Sequence, residues 1–178
     1  MMFSSLAAPL WPLLERLPWA LLNRREFDVS GAQLIVGGVA TLVVAACIFL
    51  HYELMRTSVW LLPKLKVRRR ARVLGVITMM LVAHIIEVWV FGLTYWVLDA
   101  WPHLGRLDGP IDEGALDFIY FSVTSFTTVG FGDIVPTGAI RILAGAEALT
   151  GLALVTWSAS FAFLEMQRDW IEFRKPSR

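Results

Sequence analysis

The sequence is poor in charge and almost without cysteine. Charged residues are 17% of its 178 positions against 57% hydrophobic, and mean hydropathy is +0.62. That balance excludes a water-soluble fold and places the chain among integral membrane proteins. A single cysteine, Cys47, excludes an intrachain disulfide, and its apolar surroundings assign it to core or lipid packing. A net charge of +1 does not imply nucleic acid, and none is expected as a partner. The N-terminal stretch lacks the basic segment and unbroken apolar run of a cleaved signal peptide. Internal repeats and low-complexity tracts are absent, so one membrane domain accounts for the chain.

Three stretches are long and apolar enough to cross a bilayer at 1.5 Å per residue. The first is expected over residues 29–54, the second over 73–98 and the third over 139–164. Between the first two, residues 55–72 carry Arg56, Lys64, Lys66, Arg68, Arg69, Arg70 and Arg72. The positive-inside rule makes this loop cytoplasmic and the N-terminus external. Residues 165–178 then form a cytoplasmic tail. Asp99, Asp108, Asp112, Glu113 and Asp117 give the opposite, outer side a cation-attracting mouth. Pro9, Pro12 and Pro18 break residues 1–28, which read as an interfacial segment outside the membrane. Trp96 and Trp101 mark the outer interface and Trp60 and Trp170 the inner one, while Trp89 and Trp157 are expected to pack.

Between the second and third spans, residues 113–127 make a short helix candidate, too short to cross, followed by Thr127–Asp133, reading TTVGFGD. A re-entrant segment of irregular backbone survives at membrane depth only where protein buries it or water reaches it. Gly130 and Gly132 allow conformations closed to other residues, letting successive carbonyls face one axis.

This string, set between two spans, resembles the potassium-channel pore family, whose filters are four TVGYG loops of carbonyl oxygens. The resemblance covers Leu74 to Phe163. It implies an all-α integral membrane fold: three transmembrane helices, a re-entrant pore helix and a selectivity filter, assembled as a tetramer. One filter strand per chain requires three identical subunits as partners. No cofactor is expected, and K+ is the permeant ion. By the same resemblance Thr128 offers hydroxyl and carbonyl oxygens to K+, Val129, Gly130 and Phe131 offer carbonyls, and Gly132 supplies flexibility. Thr127, Asp133, Tyr120 and Thr124 form the filter's support, with Asp133 held by a hydrogen bond to the pore helix. Tyr120 is the matching aromatic, and Thr124 stands where some channels have an acid. Phe131 replaces the family's tyrosine and forfeits one hydrogen bond, which predicts a looser outer filter and weaker selectivity.

On the third span, Leu152, Val155, Thr156, Ala159 and Phe163 share a helical face expected to line the cavity and the gate. Gly151 stands where the inner helix of the family bends, though membrane glycines also serve close packing. Glu147 lies on another face and is expected to brace Thr124 or Ser125 from behind the filter.

His84 and Glu87, three apart, share a face deep in the second span. They read either as a proton-sensitive pair or, preferred, as a neutral hydrogen-bonded pair fixing the first helix to the second. His51 and Glu53 read as the solvated end of the first helix. The loop arginines lack the every-third spacing of a voltage sensor, and no ligand-binding appendage is expected after Arg178. The basic residues at 64–72 could also meet anionic lipid, although topology alone explains them. A multi-pass protein of a prokaryotic inner membrane is expected. The competing readings are a weakly selective cation channel, a regulatory subunit of a heteromeric pore, and an intramembrane metalloenzyme using His51, His84, Glu87 and Glu147. The last is disfavoured: HExxH spacing is absent, the four residues read at different depths, and TTVGFGD goes unexplained.

Overall fold

The computed structural model describes residues 30–61, 64, 69–111 and 114–173. The interfacial reading of residues 1–28, the positions of Lys66, Arg68, Asp112 and Glu113, and the basic end of the tail lie outside the described residues.

Four α-helices carry the fold: α1 (Gly31–Leu61), α2 (Arg69–Asp99), α3 (Ala115–Phe126) and α4 (Ile140–Phe173). Three of them contain spans long and apolar enough to cross a membrane: Gly31–Leu61, Ala71–Asp99 and Ile140–Arg168. α3, with 12 residues, is about 18 Å long and cannot cross. The chain is therefore an all-α, multi-pass membrane protein.

The helices are longer than hydropathy alone predicted. α1 continues past residue 54 to Leu61, α2 starts at Arg69 rather than 73, and α4 runs beyond 164 to Phe173. The additions are polar turns such as Glu53–Arg56 and Glu165–Arg168, each held by an i,i+3 ion pair of 3.3 and 2.7 Å. Apolarity marks where lipid is, whereas a helix stops where its backbone pairing stops, so the spans underestimated the helices. The loop read as 55–72 shrinks accordingly to the stretch between Leu61 and Arg69, where Lys64 Nζ sits 3.1 Å from the Trp60 ring centroid.

α1 buries a stripe of Val36, Ala40, Cys47, His51, Met55 and Ser58, spaced at three, four and seven. Its other faces leave Leu34, Leu42 and Phe49 exposed, as lipid contact requires. α2 packs against α1, α3 and α4. The core is formed by Val88, Phe91, Tyr95, Phe118, Phe121, Phe126, Leu143 and Leu154, joined by the inner stripe of α1.

The outer loop, expected as an acidic mouth, is also tied to the strand that follows the glycine-rich segment. After a 3-10 turn, Pro102–Leu104, β1 (Leu107–Asp108) pairs antiparallel with β2 (Val135–Pro136), Leu107 facing Pro136 and Asp108 facing Val135. Thr137 N donates to Arg106 O at 2.8 Å, and Leu107 N donates to Asp99 Oδ1 at 3.2 Å. Two-residue strands carry too little hydrophobic alternation to be read from sequence.

Candidate pore site and the polar layers behind it

α3 ends where the glycine-rich strand begins, and that strand supplies the donors the helix end needs. The last carbonyls of a helix have no partner within it. Here Thr127 N donates to Val123 O at 3.1 Å, Thr128 N to Ser125 O at 3.0 Å and Gly130 N to Thr124 O at 3.1 Å. The Thr127 hydroxyl also donates to Val123 O, at 2.7 Å. The strand is thus pinned to the helix by its own amides, which leaves its carbonyls free to point elsewhere.

Its backbone alternates in handedness. Thr128 has φ +60°, Gly130 +52° and Gly132 +80°, while Val129 and Phe131 between them stay negative. Alternating left- and right-handed residues turn successive carbonyls to the same side, as a line of cation ligands requires. Left-handed φ is unstrained for the glycines, but for Thr128 it costs about 1–2 kcal/mol, strain of the sort retained at functional sites. Val129 and Phe131 are exposed in the single subunit, at 54% and 70%.

Past the strand, the Tyr120 hydroxyl donates to Asp133 Oδ2 at 2.7 Å, and Ile134 N donates to Asp133 Oδ1 at 3.0 Å. The Tyr120 hydrogen bond holds the Asp133 carboxyl below its ordinary 3.8, and the same bond pushes the Tyr120 phenol above 10.0. Both directions favour the bonded, ionised-Asp form. For Asp133, depressed in the fold, the stabilisation is complete above 3.8 and is lost as the pH falls below it. For Tyr120, raised in the fold, it is complete below 10.0 and is lost above that value. In Tyr120→Phe protein the acid limb of the thermal stability profile should flatten between pH 4 and pH 2. A wild-type profile without an acid limb in that window would remove this link.

Thr124 is buried, but its hydroxyl turns back to Phe121 O at 2.9 Å within α3. It does not meet Glu147. The expectation that Glu147 braces Thr124 or Ser125 is corrected: Glu147, fully buried on α4, accepts from the Tyr95 hydroxyl of α2 at 2.6 Å and from the Ser122 hydroxyl of α3. Ser122 Oγ also lies 2.8 Å from Val88 O. The reason is helical phase. Ser122 and Phe126 lie on the buried face of α3, whereas Ser125, one residue short of Phe126, is turned off it.

About 12 Å further along α2, from Tyr95 to Glu87, lies a second polar layer. His51 Nδ1 is 2.9 Å from Glu87 Oε1, His84 Nδ1 is 3.0 Å from Glu87 Oε2, and Ser158 Oγ is 3.1 Å from His51 Nε2. His51 and Glu87 are completely buried. This overturns two expectations. His51 is not a solvated helix end, because α1 continues for ten residues beyond it and carries it into the core. Nor do His51, His84 and Glu87 sit at different depths, though Glu147 belongs to the other layer. Glu53 remains near the surface, paired with Arg56. His84 and Glu87 do pair within α2, and the bond from α2 to α1 runs through His51.

Between the two layers sits an aromatic one. Phe126, the last residue of α3, lies 5.8 Å from the His84 ring and 6.5 Å from that of Phe91, centroid to centroid. Gly151 is buried against it: a Cβ there would meet the Phe126 carbonyl oxygen and, at 2.9 Å, its ring. Of the two roles open to Gly151, the structure exhibits close packing, within an unbroken helix. Leu152, Val155, Thr156, Ala159 and Phe163 all lie exposed on the opposite side of α4, while Glu147, Thr150, Gly151, Leu154 and Ser158 form its buried stripe.

Sequence reasoning missed Tyr95, Ser122, His51 and Ser158 as members of these layers. A signal existed for His51, which continues the spacing of Ala40 and Cys47 along α1. Ser158 likewise follows Gly151 and Leu154 at helical intervals. Nothing in the sequence pairs Tyr95 with Glu147, 52 positions away.

A family model described as "Ion channel" matches residues 79–167, half of the chain, including α3, the glycine-rich strand and most of α2 and α4. Two-pore potassium channel 1 of Arabidopsis thaliana is 41% identical over 51 residues, which are 28% of this chain and 14% of that protein. The chain thus spans a small part of that relative's length. No solved structure matches. With a short helix and a strand of alternating handedness set between two spans, the chain belongs to the ion-channel family.

Proposed function

We propose that four copies of this chain form a potassium-selective channel, with Thr128–Gly132 of each lining the filter. The alternation of φ sign from Thr128 to Gly132 carries this reading, because it presents consecutive carbonyls as replacements for an ion's water shell. One chain supplies one wall of such a filter, and the exposed Val129 and Phe131 together with the apolar face from Leu152 to Phe163 leave surface for the other subunits and the pore. The resemblance to potassium channels over the matched residues supports K+ as the ion conducted. The acidic outer mouth raises local cation concentration, and Ala159 and Phe163 form the constriction beneath. The N-terminus lies outside and the basic loop and tail lie in the cytoplasm.

Purified protein in liposomes should take up rubidium in a barium-sensitive manner, and its native mass in detergent should correspond to four chains. A monomer without uptake under any condition would overturn the proposal and favour a subunit that conducts only in a heteromeric pore.

A further inference from the structure

The inner polar layer is a donor set as well as a hydrogen-bonded knot. His51 of α1 and His84 and Glu87 of α2 each bring one ligand atom to a place where all three lie within 4.8 Å of one another. Two imidazole nitrogens and a carboxylate oxygen are a ligand set suited to Zn2+, with bonds of about 2.0–2.2 Å. Ligand atoms around a tetrahedral ion of that size stand roughly 3.3 Å apart. The two nitrogens contact different oxygens of the Glu87 carboxylate, at 2.9 and 3.0 Å, so seating one ion among the three donors takes a side-chain adjustment.

Two further observations point to a cation. Ser158 Oγ lies 3.1 Å from His51 Nε2, the ring nitrogen facing away from Glu87. Metal-bound histidines are oriented by such a contact on the remote nitrogen. The second observation is charge. Among the described residues the ion-pair partners of Glu87 are His51 and His84. With both Nδ1–H groups donating to the carboxylate, its negative charge stays buried at membrane depth, where charge is expensive to hold. A divalent ion pairs directly with that carboxylate and takes the Nδ1 positions, and the occupied site carries a net +1. His51 then carries its proton on Nε2 and donates it to Ser158. His84 keeps 17% side-chain exposure, which provides an approach for the ion.

We propose that His51, His84 and Glu87 form a Zn2+ site that clamps α1 to α2, with Ser158 of the inner helix as a positioning residue. Because the His84 ring lies tilted against Phe126 at the base of the glycine-rich strand and Ser158 contacts His51, occupancy is felt both there and on α4.

The test uses purified full-length protein, stripped with chelator and equilibrated with Zn2+, or with Co2+ as a spectroscopic substitute. The expected result is about one ion per subunit and the intense visible absorption of low-coordinate Co2+. His51→Asn and His84→Asn should abolish both signals. Ser158→Ala, which removes no ligand, should weaken binding by about 10–100-fold while the helices remain folded. Should a ligand variant fail to fold, Ser158→Ala alone decides. Zn2+ retained in the His51→Asn, His84→Asn double variant would indicate surface binding and overturn the site, as would six-coordinate Co2+ spectra, unchanged affinity in Ser158→Ala or no binding at all. These readouts do not involve conduction, so the site and the channel proposal stand or fall separately.

Discussion

Replacing Gly130 by alanine should reduce rubidium or potassium flux at least tenfold without unfolding the subunit. An added Cβ at Gly130 meets nothing within 4 Å in the subunit, so space is not the obstacle. The obstacle is φ of +52°, which costs an L-residue about 1–2 kcal/mol. In a fourfold filter the cost recurs in every strand, roughly 4–8 kcal/mol in all, and a relaxation to negative φ would turn the carbonyl off the axis. Since about 1.4 kcal/mol is a factor of ten, the fourfold total lowers the population of the conducting backbone by well over tenfold. The measurement is barium-sensitive uptake by liposomes carrying equal amounts of wild-type and Gly130→Ala protein. Unchanged uptake would mean that the alternating backbone is not the conduction path.

The second large effect is expected at Glu147. Glu147→Ala removes the acceptor of the Tyr95 hydroxyl and one of two oxygens near Ser122, and leaves a void between three helices. A buried hydroxyl left without a partner costs about 1–3 kcal/mol, and the void adds to it, so a loss of about 3 kcal/mol per subunit is expected. Glu147→Gln keeps an oxygen for Tyr95 and should recover most of that loss. In a double-mutant cycle with Tyr95→Phe the two losses should be less than additive, because each variant removes the same bond. Thermal unfolding in detergent measures all four proteins. Additive losses would show that the Tyr95–Glu147 bond contributes no stability.

These two sites also show what could be read from the chain alone. The filter strand was legible because its chemistry is local: glycine at Gly130 and Gly132 reports a backbone need directly, and Thr127–Asp133 is contiguous. The three spans were legible because lipid selects uninterrupted apolar length. Where the account needed long-range pairing, sequence faltered. Glu147 could be placed off the exposed stripe of α4, but its partners come from α2 and α3, and helical periodicity says which face a residue occupies, not which neighbour that face meets. His51 was misread because the polar turn after it looked like a helix end, whereas Glu53 and Arg56 merely mark where the helix leaves the apolar layer. Conversely, His84 and Glu87 were legible as a pair because three residues separate them on one helix. The β1–β2 tie between outer loop and filter exit was invisible, being two residues on each side.

The structure also bears on Phe131. Without a hydroxyl at that position, the described side-chain support at the outer end of the strand comes from Tyr120 and Asp133, directly after it. Loss of that support should therefore matter more here than in a filter anchored at both places, and ion discrimination is where it should appear.

The most direct measurement of the central claim is the reversal potential of purified wild-type protein in a planar bilayer, with potassium on one side and sodium on the other. A fourfold carbonyl filter predicts a reversal potential displaced towards the potassium equilibrium potential. A reversal potential at zero, with current carried equally by sodium, would contradict it.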